Sequence, residues 1–196
     1  MSRLACPRCQ RPLSHCLCAL IPHLNSRTRI LILQHPDEQK HALNTARLAY
    51  LGLENAALWV GEHFAELPEF IENSPYAACV LFPGESAAVL KAYSPTDTPR
   101  LLIVPDGTWR KARKLMYLNP VLERLPRVTL GAAAPSRYRL RKAPSAESLA
   151  TLEAITQALE ALEGQDFSPL LKPFEALIDG QIQAMGEAVY LRNHLK

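Results

Sequence analysis

Leu101-Leu102-Ile103-Val104-Pro105-Asp106-Gly107-Thr108-Trp109-Arg110-Lys111-Ala112-Arg113-Lys114 runs from four consecutive apolar residues through a polar turn into a cationic segment. A continuous apolar run of this length, closed by a turn, is the pattern of a strand buried on both faces. The turn presents one carboxylate, Asp106, and one large aromatic ring, Trp109. Arg110, Lys111, Arg113 and Lys114 then occupy helix positions that leave Ala112, Leu115 and Met116 to face inward. In open α/β sheets, ligands bind outside the carboxyl ends of the strands. This strand end is therefore the first candidate for chemistry.

The same alternation continues on either side. Arg29–Gln34, Ala56–Val60, 77–82, 100–104 and 127–130 read as strands. Helices are expected over 37–51 with Gly52 as the stop, in a short broken form over 62–73 around Pro68, and from Pro83-Gly84 through about Tyr93. Further helices are expected over 108–118, from Pro120, over 145–162 with Ser145 or Ser148 as N-cap, and over most of 169–194 with Pro169 and Pro173 near the start. Residues 137–141 read as a short extended piece or a loop. Strands alternating with helices imply an α/β fold: a mostly parallel sheet with helices on both faces.

At 196 residues the chain can build one sizeable core, or one core plus a small appendage. Its 48% hydrophobic and 21% charged residues place it with ordinary globular proteins rather than disordered or fibrous ones. No apolar run approaches the roughly 20 residues of a membrane span, and the first eighteen residues lack a signal pattern. A cytoplasmic protein with no membrane contact is the expectation. The net charge of +3 conceals an asymmetry: residues 110–142 hold 10 basic side chains and one acidic, whereas 143–196 hold 3 basic and 8 acidic. Such a local excess suits a polyanionic partner; the plainer alternative is a solvated basic face.

Cys6, Cys9, Cys16 and Cys18 follow the spacing C-x2-C-x6-C-x-C. Four thiolates so close together match a structural zinc site, and metal would fold a segment with little core of its own. A pair of disulfides is the competing assignment. The expected organisation is an N-terminal four-cysteine zinc module over 1–25 and an α/β domain over 26–196. Cys79, inside an apolar run, is expected to be a buried strand residue without a chemical role.

Three turns should meet at one sheet edge: 82–85, 105–109 and 131–144. Neither Gly84 nor Gly107 belongs to a dinucleotide fingerprint or a P-loop, so nicotinamide dinucleotides and nucleoside triphosphates are poorly supported. Asp106 has two readings, a helix cap or a proton acceptor; Thr108 is an equally good cap. Trp109 is either a core residue or a surface on which a base stacks. Arg137, Arg139, Arg141 and Lys142 interleave with Tyr138, as in many RNA binders. On periodicity alone, Leu149, Leu152, Ile155 and Leu159 are core and Glu153 a solvated carboxylate. His35 either bonds a phosphate or simply sits in a loop.

Taken together, Cys6-x2-Cys9-x6-Cys16-x-Cys18, His35-Pro36, Asn44-Thr45, Phe82-Pro83-Gly84, Asp106-Gly107-Thr108-Trp109, Ser136-Arg137-Tyr138-Arg139-Leu140-Arg141 and Leu149-Ala150-Thr151-Leu152-Glu153-Ala154 resemble the DTW-domain family of tRNA-uridine aminocarboxypropyltransferases. The resemblance covers nearly the whole chain, and the Asp-x-Thr-Trp signature is intact. Ala150 replaces a serine common in the last motif. The resemblance implies a fold related to the knotted SPOUT methyltransferases, S-adenosylmethionine as donor, tRNA as partner, and transfer of the 3-amino-3-carboxypropyl group to the imide nitrogen of a uridine. No obligate protein partner is implied.

The residues that match carry the corresponding roles as expectations. Asp106 would take the imide proton or orient the donor's amino group. The donor would lie among Phe82, Pro83, Gly84, Asp106, Gly107, Thr108, Trp109, Ser136, Tyr138 and Leu140, with Thr151 and Glu153 at the pocket's edge. His35, Arg110, Lys111, Arg113, Lys114, Arg137, Arg139 and Arg141, together with the zinc module, would hold tRNA. The alternatives are a SPOUT-like tRNA methyltransferase and a non-enzymatic zinc and RNA-binding module.

Overall fold

The computed structural model describes residues 4–131, 134–139, 149–186, 189–190 and 192. Among them, the N-terminal segment makes two short 3-10 turns, Leu13–His15 and Cys18–Leu20, and enters strand β1 (Arg29–Gln34). There follow α1 (Pro36–Gln39), α2 (Ala46–Gly52), β2 (Ala56–Val60), α3 (Leu67–Glu72), β3 (Ala77–Leu81), β4 (Ala88–Val89), β5 (Arg100–Asp106), α4 (Trp109–Leu118), α5 (Val121–Arg124) and β6 (Arg127–Thr129). Next among the described residues come α6 (Thr151–Glu163), a 3-10 turn at Ser168–Leu171, and α7 (Lys172–Met185).

The six strands form one sheet in the order β2-β1-β5-β3-β6-β4, and every pairing is parallel. β5 is central. Its apolar residues divide by parity: Leu102 and Val104 face one layer, Leu101 and Ile103 the other. Successive side chains on a strand point to opposite faces, so an unbroken apolar run needs a roof on both sides. One roof is α2, α6 and α7, whose Leu48, Ile155 and Phe174 are fully or almost fully buried; Cys6, Cys9, Leu17 and Ile21 of the N-terminal segment join the same layer. The other roof is α3, α4 and α5, through Leu67, Leu115 and Leu122. The α/β architecture with helices on both faces is thus as expected, and Cys79 is a buried strand residue.

Four local expectations are corrected. The helix over 37–51 is two pieces, α1 and α2, because the carbonyls of Ala42 and Asn44 accept hydrogen bonds from Arg11 instead of continuing a helical ladder. The segment 84–93 is not a helix: its backbone pairs outward, Ala88–Val89 lying along β6 and the Leu90 N–H reaching the Thr129 carbonyl at 2.9 Å. Helix α6 starts at Thr151 with Ala150 as N-cap, not at Ser145 or Ser148, both of which lie outside the described residues. There Glu153 accepts from the Ala150 N–H at 2.8 Å, the return half of a capping box. Gly52 is the last residue of α2 rather than a stop beyond it. No helix among the described residues is long and apolar enough to cross a membrane.

Candidate active site at the carboxyl edge of the sheet

Because all strands are parallel, β1, β3 and β5 end at a common edge. In-register pairing puts Asp106, the last residue of β5, beside Gln34, the last of β1. The Asp106 side chain points to the α6 face and is 8% exposed. Its Oδ2 accepts from Gln34 Nε2 at 2.8 Å, and its Oδ1 accepts from the Thr151 hydroxyl. Burial pushes its pKa above the usual aspartate value; the bonds from Thr151 and Gln34 oppose this, Glu38 adds to it, and Lys111 offsets it. Asp106 does not cap α4. Thr108 does, its hydroxyl accepting from the Lys111 N–H at 3.4 Å.

Gly107 carries the chain from strand to helix at φ +156°, where a Cβ would stand 2.9 Å from that of Lys111 and 3.6 Å from that of His35. Only glycine fits there without displacing backbone or stem. Trp109 then opens α4 at 46% exposure, so it is not a core residue. Its ring meets Phe82 edge-on at 5.9 Å, and the Arg127 guanidinium lies over the Phe82 ring, 5.9 Å from its centroid, and close to Gly84. The corner formed by Phe82, Gly84, Trp109 and Arg127 offers an aromatic surface with a cation beside it.

On the α6 side, Glu153 is 2% exposed and not the solvated carboxylate that periodicity suggests. It accepts from the Ser136 hydroxyl at 2.9 Å and the Arg137 N–H at 2.6 Å, besides Ala150. It clasps the 134–139 loop to the start of α6. Tyr138 follows, its ring edge-on to Phe174 at 5.4 Å. Leu140, Arg141 and Lys142 lie outside the described residues.

Several of the predicted polyanion contacts are already engaged. His35 is 6% exposed, accepts from the Asp37 N–H through Nδ1, and meets Glu62 through Nε2 at 2.8 Å; it is an internal tie rather than a free phosphate ligand. Lys111 pairs with Glu38 at 2.8 Å and Asp37 at 3.3 Å, and Lys114 with Glu62 at 2.6 Å. Lys114, foremost, and His35 hold the Glu62 carboxyl below its usual range. Arg137 pairs with Glu175 at 2.6 Å and Arg139 with Asp179. Folding sets acidic residues distant in sequence beside the cationic segment. Among the described residues, Arg110 and Arg113 are exposed and form no ion pair.

The four N-terminal cysteines converge. All four Sγ atoms lie within 4.8 Å of one another, with Cys6–Cys18 at 3.6 Å and Cys9–Cys16 at 3.8 Å, and none is in a disulfide. Tetrahedral zinc with bonds of about 2.3 Å spaces its sulfurs by roughly 3.8 Å, so the donor set fits. Backbone N–H groups of Cys9 and then Arg8 hold the Cys6 thiol down to about 6, while burial, then the neighbouring sulfurs, push Cys18 up to about 12. A bound divalent cation would stabilise all four as thiolates.

Sequence reasoning missed Gln34, Glu62 and Arg127, and it singled out Asn44 in a motif without giving it a role. Gln34 carried a signal: it is the one polar residue closing an apolar strand. An open hollow of about 350 Å³ lies elsewhere, beside α3 and the outer strand β2, lined by Arg29, Trp59, Glu66, Phe70 and neighbours. It shares no lining residue with the cluster around Asp106, whereas the carboxyl edge carries the Asp-Gly-Thr-Trp turn, so the carboxyl edge remains the candidate.

The DTW domain family model matches residues 3–182. Similar proteins include tRNA-uridine aminocarboxypropyltransferase 2 of Macaca fascicularis, 32% identical over 210 residues, spanning 98% of this chain and 68% of that protein. The Drosophila melanogaster protein of the same name is 31% identical over 209 residues, 98% of this chain and 82% of its own. tRNA-uridine aminocarboxypropyltransferase A of Arabidopsis thaliana is 30% identical over 193 residues, 82% of this chain and 73% of its own. No solved structure matches. Matched along nearly its whole length, with the Asp-Gly-Thr-Trp turn at the edge where a ligand should bind, the chain belongs to the DTW domain family.

Proposed function

We propose that this chain transfers the 3-amino-3-carboxypropyl group of S-adenosylmethionine to the imide nitrogen of a tRNA uridine. The bond from that nitrogen to the donor's γ-carbon forms as the carbon–sulfonium bond breaks. The imide proton leaves, and methylthioadenosine is released. The sulfonium activates three carbons, and alignment alone selects among them. The observation that carries the reading is the pairing of a fixed, buried carboxylate with an exposed indole on either side of Gly107.

Asp106 is the group that receives the imide proton. Burial makes it a better proton acceptor than an ordinary aspartate, and Gln34 and Thr151 fix its orientation. The Phe82–Trp109 corner suits a stacked adenine or uracil. Thr151 and Glu153 shape the donor pocket indirectly, Thr151 by holding Asp106 and Glu153 by holding the loop at Ser136. Among the described residues of the predicted set, Arg110 and Arg113 are the cations without an ion pair and so available to tRNA phosphates. Zinc is the metal assigned to the cysteine cluster, as a structural ion. The division at residue 25, the kinship with SPOUT folds and a cytoplasmic setting belong to the same proposal.

Incubation with unmodified tRNA and donor should add the aminocarboxypropyl mass to one uridine and release methylthioadenosine. A methylated base with adenosylhomocysteine would refute the reading in favour of a methyltransferase. Salt-sensitive RNA binding without donor binding by calorimetry would leave only a binding module.

A further inference from the structure

The cysteine module touches the candidate site without contributing a side chain to it. Its loop is tightly tied: the Cys6 N–H donates to the Arg11 carbonyl at 2.7 Å, and the Gln10 N–H to the Cys6 carbonyl at 2.8 Å, with Gln10 at φ +58°. From this loop the Arg11 guanidinium reaches the connection between α1 and α2. Nη1 donates to the Ala42 carbonyl at 2.7 Å and Nη2 to the Asn44 carbonyl at 3.1 Å. A second strut returns from α2, where Arg47 Nη1 donates to the Arg8 carbonyl at 3.3 Å. The Nε atoms of both arginines are buried without a partner. Such orphaned donors are rare and call for a reason.

Asn44 continues the chain inward. Its carboxamide faces that of Gln34, with Gln34 Nε2 3.2 Å from Asn44 Oδ1 and Asn44 Nδ2 3.4 Å from Gln34 Oε1. Asn44 Oδ1 also accepts from the Arg47 N–H at 3.2 Å, which fixes which end of the amide is the acceptor. That in turn fixes Gln34, 1% exposed, with its amide nitrogen toward Asp106. A flipped Gln34 would set a carbonyl oxygen against the carboxylate. The order of dependence is therefore module, Arg11, Asn44, Gln34, Asp106.

We propose that the cysteine module positions the active-site carboxylate, with Arg11 as the positioning residue that transmits its placement through Asn44 and Gln34 to Asp106. This rests on the function proposed for Asp106. Charged groups that face Asp106 from the other packed elements are Glu38 of α1 and Lys111 of α4, with the Thr151 hydroxyl of α6; none of them belongs to the relay.

The test is an NMR titration of the Asp106 carboxyl carbon in the full-length, metal-loaded protein without substrate, comparing wild type with Arg11→Gln, Arg11→Lys and Asn44→Ala. Gln34→Ala serves as the benchmark for complete loss of the inner bond. A carboxylate that loses a properly aimed donor holds its proton more tightly. The midpoint should rise by about half a pH unit or more in Arg11→Gln and Asn44→Ala, with Arg11→Lys between them and wild type. The acid limb of kcat/KM should move equally, at unchanged KM for tRNA. Should Arg11→Gln fold poorly, Asn44→Ala leaves the module's own loop intact and carries the same comparison. An unmoved midpoint overturns the relay, and a raised tRNA KM with an unmoved midpoint would make Arg11 an RNA contact instead. Because the titration needs no turnover, a shifted midpoint in a chain that binds no donor would keep the relay and refute the proposed function.

Discussion

Glu153→Gln isolates the clasp between α6 and the 134–139 loop. The carboxylate accepts three bonds, two at Oε2 from Ser136 and Ala150 and one at Oε1 from Arg137. A glutamine can keep its carbonyl at the Oε2 position and retain the first two. Its NH2 must then face the Arg137 N–H, donor against donor. One hydrogen bond to a charged acceptor contributes about 1.5–3 kcal/mol, and the orphaned donor stays buried, so about 2–3 kcal/mol should be lost. For a chain of this size that is a fall in Tm of roughly 4–12 °C. Glu153→Ala strips all three donors of their acceptor and should cost up to about 5 kcal/mol. Urea unfolding followed by far-UV circular dichroism gives the free energies. Limited trypsinolysis at Arg137 and Arg139 reports the loop directly, and cleavage should accelerate in both variants. A Glu153→Gln protein within about 0.5 kcal/mol of wild type, with unchanged cleavage, would show that the carboxylate does not hold the loop.

Asp106→Asn should abolish transfer with tRNA affinity unchanged. Its stability effect has a definite sign. Burial raises the folded-state pKa of Asp106, so the stability linked to its proton is complete below the unfolded value near ~3.9 and lost as pH rises through the folded value. Wild type should therefore lose ground to Asp106→Asn as pH rises from the unfolded value through the raised folded one, and a pH-independent difference in unfolding free energy would contradict the burial argument. Elemental analysis should find one zinc per chain, and chelation should lower Tm; metal-free protein with oxidised cysteines and unchanged Tm would remove the metal assignment. Charge reversal at Arg110 and Arg113 together should weaken tRNA binding and reduce the salt slope by about two. Lys111→Glu should lower Tm as well, because it breaks the contacts to Glu38 and Asp37; equal behaviour of the two variants would mean that the ion pairs do not distinguish these cations.

What the chain announced and what it hid follow a physical division. Signals that reside in one segment were legible. The apolar runs at 29–34 and 101–104 became paired central strands, Thr108 became a helix cap, and the cysteine spacing became a cluster. Features that depend on a partner far away in sequence were not. The break between α1 and α2 is made by Arg11, some thirty residues upstream. The segment after Gly84 has helical composition, yet it completes the sheet because β6 presents an open edge to it. Glu153 sits at a nominally outward helix position but is covered by the loop it binds. The cationic run at 110–114 looked like an undivided patch, and only folding showed which of its members are already matched by Glu38 and Glu62.

The strand that ends in Asp106 is bonded to a neighbour on each side and covered on each face. It has nowhere to shift. Under the proposed function, changes to the surrounding surface would alter the choice of RNA while Asp106 keeps its coordinates. Substrate range and bond-making chemistry can evolve at different rates within one such scaffold.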